Sequence, residues 1–203
     1  DNLRPMDRLT EYRREHLLGN RTVVMYAGNL GHSQPLGLMV EAARRHQNRD
    51  DLVYVINGGG VRAEEIAAAA GGLQNLVVIG YQPFERLAEV LATGDIHVVP
   101  LRTGLASASV PSKAYSTMAA GRPIIASVDQ DTEVALMVAD ANAGLAVPPD
   151  DPDAFTAAVE YLAGDVELRT RMGVNARAWA EKCHSARVAA GSYLDLVGRL
   201  TDP

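Results

Sequence analysis

The chain has 203 residues, 47% of them hydrophobic and 22% charged, with a formal net charge of −6. That length suits one domain, or one domain with a short arm, and the composition excludes wholesale disorder. So acidic a balance lacks the electrostatic footprint of a nucleic-acid binder. Apolar runs such as Leu76–Ile79 and Ile96–Leu101 fall far short of the ~20 residues that span a bilayer. The single cysteine, Cys183, excludes an internal disulfide and a cysteine metal cage.

The chain opens at Asp1 with no targeting segment, and it reads as a piece of a longer protein in a reduced, cytoplasmic setting. The segment Asp1–Asn20 is polar, with a helical patch over Arg8–Leu18 that Gly19-Asn20 ends. Thr22–Ala27 is a β-branched, apolar strand that runs into the loop Gly28–Pro35, and Leu36–His46 has helical periodicity. The unit then repeats. The predicted strands are Leu52–Ile56, Leu76–Ile79, Ile96–Val99, Pro123–Ala126 and Gly144–Val147. The helices that follow them are Arg62–Ala70, Phe84–Thr93, Ser112–Ala120, Thr132–Asp140 and Asp153–Leu162.

Strands alternating with helices at this spacing predict an α/β fold. The expected form is a Rossmann-like, doubly wound parallel sheet of about six strands, because parallel strands need crossover helices. No linker divides it, so residues 1–203 form one domain, with 165–203 as a helical tail ending in a helix over Ser185–Leu200. At ~200 residues it buries enough surface to fold alone.

In such a sheet a ligand sits beyond the carboxyl ends of the strands, where loop and helix-start N–H groups converge. The loops there are Gly28–Pro35, Asn57–Val61, Gly80–Pro83, Pro100–Pro111 and Ser127–Thr132, and four of the five carry glycine. Taken singly, each glycine also fits a tight turn with no ligand. Gly58-Gly-Gly60-Val-Arg-Ala63 has the G-x-G-x-x-A form, but the next strand ends at Ile79-Gly80 without the acidic residue that holds a dinucleotide's ribose. The loop before Lys113 is rich in hydroxyls, and Ser109, Ser112 and Lys113 together make a candidate anion site. A capped helix with one solvated lysine is the competing reading. Lysine occurs only at Lys113 and Lys182 in an otherwise arginine-based set, so Lys113 stands out. The five histidines have no metal-ligand spacing, and His97, inside a strand, reads as a packing residue. Trp179 and Tyr193 also read as packing residues. Nucleophile-elbow and P-loop patterns are absent from the sequence.

The run Pro111-Ser-Lys-Ala-Tyr-Ser-Thr-Met-Ala-Ala-Gly-Arg-Pro-Ile-Ile-Ala-Ser127 resembles the signature of retaining glycosyltransferases of family 4, with the GT-B fold. Val24–Gly31, Thr132-Glu-Val and Asn142–Pro152 complete the pattern in the family's order, so the resemblance covers about Val23 to Leu162. The Pro-Ser-Lys variant is similar to a branch that builds capsular and colanic-acid-like polysaccharides.

The resemblance implies the C-terminal half of a two-domain enzyme, binding a nucleotide-diphosphate sugar as co-substrate, with no further cofactor and no metal. The absent N-terminal domain would carry the acceptor contacts and any peripheral membrane association, and without it this half alone would be inactive. The activity implied is sugar transfer to a polysaccharide or glycolipid, with retention. Lys113 would stabilise the leaving diphosphate as the catalytic residue. Gly28, Asn29, Gly31, Gly60, Arg62, Tyr81, Ser109, Ser112, Ser116 and Glu133 would bind substrate, with the backbone near Gly80-Tyr81 facing the base.

The chain departs from the family pattern at two pairs of positions. The common glutamates fall at Ser109 and Ser116, and the common basic pair falls at Asn29 and Gln34. Phosphate charge then rests on Lys113, with Arg62 or Arg102 as helpers. Two alternatives stay open: an NDP-sugar epimerase-type enzyme of the same architecture, and a non-catalytic nucleotide-sugar or partner-binding module. An apolar strip for the absent domain is a further expectation.

Overall fold

A computed structural model gives the fold, describing residues 3–105 and 112–183 together with Ala190, Leu194 and Val197. Six parallel strands are ordered β3-β2-β1-β4-β5-β6. They are β1 (Thr22–Asn29), β2 (Leu52–Gly59), β3 (Leu76–Ile79), β4 (Ile96–Pro100), β5 (Ile124–Ser127) and β6 (Gly144–Val147). The helices are α1 (Glu11–Glu15), α2 (Gly37–Arg45), α3 (Ala63–Ala69), α4 (Leu87–Thr93), α5 (Lys113–Ala119), α6 (Glu133–Asp140), α7 (Pro152–Ala163) and α8 (Val166–Cys183). A short 3₁₀ turn, Phe84–Arg86, leads into α4, closed by the Arg86 amide donating to the Pro83 carbonyl at 2.9 Å. The expected helix Ser185–Leu200 and Tyr193 lie outside the continuously described residues.

Both faces of the sheet are covered, as parallel strands require. Side chains alternate along each strand. Val24 and Tyr26 of β1, with Leu52, Tyr54 and Ile56 of β2, join the cluster that holds Leu38, Met39 and Phe155 from α2 and α7. Val23, Met25, Val53 and Val55 join Tyr12 of α1 and Val90 of α4. A third cluster packs Val99, Leu101, Ile124 and Ala126 against α5, α6 and α8.

The amino-terminal segment is pinned at the far end of the sheet. Asp95, 7% exposed, accepts from Arg8 Nε at 2.6 Å, Arg13 Nη2 at 2.7 Å and the Val23 amide at 2.8 Å. Burial raises the pKa of this carboxyl, but Arg8 and Arg13 outweigh burial and hold it below its ordinary value.

The order places the topological switch between β1 and β4, where the chain reverses its direction of sheet growth. Pairing of β1 with β4 is confined to Val24↔Ile96 and Met25↔His97. On its other side β1 pairs with β2 through Gly28↔Gly58 and Asn29↔Gly59. Both strands therefore run beyond the bounds that β-branched residues alone predict. Gly58 explains the extension. At φ +153°, an ideal Cβ there would lie 1.8 Å from the Gly28 carbonyl oxygen, so only glycine lets the two strand ends close.

Candidate functional site

A cavity of about 540 Å³ opens at the carboxyl end of the sheet, at the switch. Its lining divides by element. From β1, the following turn and α5 come Gly28, Asn29, Gln34, Ser112, Lys113 and Ser116, which supply hydrogen-bonding groups. From the segment after β3 and from α4 come Tyr81, Pro83, Phe84, Leu87, Val90 and Leu91, which are mostly apolar. One cavity thus offers a polar wall with a cation and a wall suited to a flat or apolar group.

Lys113 reaches this wall from the first turn of α5. Its Nζ donates to Tyr26 Oη at 2.6 Å and lies 4.1 Å from the Tyr26 ring centroid. Tyr26 Oη in turn donates to the Asn29 carbonyl at 2.5 Å. An ideal Cβ on Gly28, whose φ is +150°, would lie 3.2 Å from Lys113 Nζ, so a side chain at 28 would crowd the ammonium. Burial lowers the Lys113 pKa to about 8. Among the described lining residues Lys113 is the only cation, and none is acidic or a histidine.

The turn after β1 is tied to itself and to its neighbours. Gln34 Oε1 accepts from the Gly31 amide at 3.2 Å, and Tyr81 Oη donates to Asn29 Oδ1 at 3.4 Å. Asn57 Nδ2 donates to the Gly80 carbonyl at 2.7 Å, linking the ends of β2 and β3. Tyr81 and Phe84 are exposed, at 63% and 78%, on the lip of the cavity.

Of the residues singled out in the sequence, the structure brings Gly28, Asn29, Tyr81, Ser112, Lys113 and Ser116 to one cavity. Gly31, Gly60, Arg62 and Glu133 are not on its walls. Gly31 compacts the turn, and an ideal Cβ there would come within 2.8 Å of Asn29 Nδ2. Gly60 packs against Asn29 and the Leu30 carbonyl, each 2.7 Å from an ideal Cβ. The Arg62 guanidinium is engaged by Glu65, with Nη2 to Oε1 at 2.5 Å, and its amide donates to the Leu30 carbonyl. Arg102, the other proposed helper, also lies off the walls, its amide donating to Ser33 O at 3.0 Å. Glu133, exposed at the start of α6, accepts from Tyr115 Oη at 2.6 Å. Ser109 lies outside the described residues.

Two contributors were not singled out in the sequence. Tyr26 hides in an apolar strand. Its only signal is a hydroxyl two residues before Gly28, hence on the same face of β1. Asn57, a buried polar residue inside β2, has as its only sequence signal its place directly before the glycine run. His97 is a packing residue, 2% exposed, with Nε2 2.8 Å from the Leu91 carbonyl and its pKa lowered by burial to about 4.

Comparisons with known proteins agree on this frame. The family model "Glycosyl transferases group 1" matches residues 21–165. An Escherichia coli (strain K12) protein named as a colanic acid biosynthesis glycosyl transferase, WcaI, is 28% identical over 166 residues, covering 80% of this chain and 40% of that protein. The alpha-D-kanosaminyltransferase of Streptomyces kanamyceticus is 28% identical over 173 residues, covering 83% of this chain and 43% of its own length. The chain thus spans about two fifths of the curated relatives it matches. The crystal structure of Anabaena Alr3699/HepE in complex with UDP superposes with a TM-score of 0.77 at 13% identity, over 93% of this chain and 52% of that one. The structure of WaaG, a glycosyltransferase involved in lipopolysaccharide biosynthesis, gives a TM-score of 0.69 at 18% identity, over 84% of this chain and 45% of that one. With the family model spanning most of the sheet-bearing region, the chain belongs to the group 1 glycosyltransferases.

Proposed function

We propose that this chain is the donor-binding half of an enzyme that moves a sugar from a nucleoside diphosphate to a polysaccharide or glycolipid acceptor, with retention of configuration. The observation that carries the reading is the meeting of Lys113 with Tyr26 and Gly28 at the carboxyl end of β1, beside the topological switch. A nucleoside diphosphate sugar has a flat, partly apolar base at one end and a doubly charged diphosphate at the other. The cavity offers Tyr81 and Phe84 at one wall and Lys113, Ser112 and Ser116 at the other.

Glycosyl transfer breaks the bond between the anomeric carbon and the diphosphate oxygen, so negative charge grows on the leaving group. A buried ammonium placed there stabilises that charge more in the transition state than in the ground state. In this reading no further cofactor is needed, and acceptor contacts belong to chain outside these residues. A peripheral membrane association, if the whole protein has one, lies there too. Among the described residues, no helix is long and apolar enough to cross a membrane.

An epimerase-type reading requires acid and base groups around the sugar, and the described walls carry no carboxylate or histidine. A binding-only module differs from a transferase in turnover. The test is calorimetric titration of the 203-residue chain with UDP, GDP and ADP, followed by a sugar-transfer assay on the longer protein. The reading expects one of the three to bind, with the matching uncharged nucleoside far weaker. Equal affinity for diphosphate and nucleoside would overturn it.

A further inference from the structure

Resting on the donor-site reading above, we infer that Tyr26 is a positioning residue, a buried phenol that holds the Lys113 ammonium in place for a diphosphate. The geometry gives Tyr26 two simultaneous hydrogen bonds. Its oxygen accepts one of the three Lys113 protons at 2.6 Å, and its own proton goes to the Asn29 carbonyl at 2.5 Å. The phenol is therefore clamped by Asn29, a residue at the end of β1 that itself lines the cavity. Burial holds its hydroxyl protonated well above the ordinary tyrosine range, so the bond to Asn29 persists across all working pH values.

A lysine stem has many rotamers, and an unrestrained ammonium would sweep a wide volume. Here Nζ sits over the Tyr26 ring at 4.1 Å from its centroid and against the backbone of Gly28, which favours one position. With one N–H spent on Tyr26, the remaining two have no protein acceptor among the described residues, and Lys113 lines the cavity. They are the donors left for an anion. The arrangement also crosses between layers. Tyr26 belongs to the cluster under α2 and α7, whereas α5 packs with Val99 and Leu101 in a different cluster. Lys113 meets Tyr26 just beyond Met25, the last residue of β1 that pairs with β4. Phenylalanine at 26 would fill the same core volume but could make neither bond, so core packing alone does not account for the hydroxyl.

The test uses Tyr26→Phe, which keeps the ring, beside Lys113→Ala and the double variant. The chain holds two lysines, Lys113 and Lys182, so ¹³C-labelled lysine gives two signals, and the one missing from Lys113→Ala is Lys113. In folded Tyr26→Phe the Lys113 titration moves to lower pH by about one unit, because a buried ammonium has lost an acceptor. Affinity for whichever of UDP, GDP and ADP binds best falls roughly five- to twentyfold. On the Lys113→Ala background, Tyr26→Phe causes no further loss of affinity. A merely structural role lowers the melting temperature but leaves the Lys113 titration where it was.

If Lys113→Ala weakens binding while Tyr26→Phe leaves both affinity and titration unchanged, the positioning role is overturned and the donor-site reading survives. If Lys113→Ala has no effect, both fall. Should Tyr26→Phe not fold, the wild-type protein still decides the matter. One of the seven tyrosine Cζ signals must titrate together with Lys113 near pH 8, and the absence of any such signal overturns the proposal.

Discussion

Replacing Lys113 with methionine should stabilise the domain while disabling its site. Burial lowers the Lys113 pKa from 10.5 to about 8, and no carboxylate among the described residues pairs with it. Between those two values the unfolded chain binds more protons than the folded one, so stability rises with pH across that window. The full cost of holding the charge is therefore present below about pH 8. A fall of that size corresponds to about 3 kcal/mol. Methionine fills a similar volume without charge, and the lost bond to Tyr26 takes back about 1 kcal/mol. The net expectation is a gain of ~1–2 kcal/mol at pH 7, or a melting temperature several degrees higher. Urea unfolding of both proteins at pH 7 and at about pH 10 measures it. The advantage of Lys113→Met should be largest at pH 7 and shrink towards pH 10. A variant less stable than wild type at pH 7, or a gap independent of pH, would refute the claim that this cation is held against its own solvation.

The other predictions concern the frame. His97 is buried with its pKa lowered to about 4, so the unfolded chain takes up its proton first as pH falls. Stability should drop by up to about 3 kcal/mol between pH 6.5 and 4, and His97→Gln should lose that share of the slope in unfolding curves. Gly58→Ala places a methyl where the Gly28 carbonyl lies 1.8 Å away, and should cost ~3 kcal/mol or more, or yield insoluble protein. Gly37→Ala, with nothing within 4 Å, is the matched control and should be neutral or mildly stabilising.

The sheet was legible in the sequence because its strands are short, β-branched and separated by helical periodicity, a pattern that has few other three-dimensional solutions. All six strands and the helices between them lie where that periodicity puts them, although the ends differ. Local propensity stops β1 at Ala27 and β2 at Ile56. The structure continues both through glycines, because parallel pairing and the close approach of Gly58 to Gly28 outweigh the weak strand preference of glycine.

The site was legible in part. Lys113 stood out by rarity, and Gly28 by following a strand. Arg62 did not come to the cavity because Glu65, three residues on along the same helix face, captures its guanidinium. Gly60 follows the same logic as Gly58, with backbone packed on backbone rather than backbone opened to a ligand. Glu133 is held by Tyr115, a contact across 18 positions of sequence that no local pattern reveals. Tyr26 was invisible for the opposite reason. A tyrosine in an apolar strand is ordinary, and only the arrival of α5 gives its hydroxyl a task.

In the proposed function, one ammonium on the sheet's rim grips a diphosphate. Isothermal titration of wild-type and Lys113→Ala protein with the best-binding nucleoside diphosphate, at pH 7 where the lysine is charged, tests it most directly. Affinity should fall ten- to hundredfold, the scale of one or two charge-assisted hydrogen bonds, with binding of the matching nucleoside unchanged. An alanine variant that binds the diphosphate as tightly as wild type would contradict it.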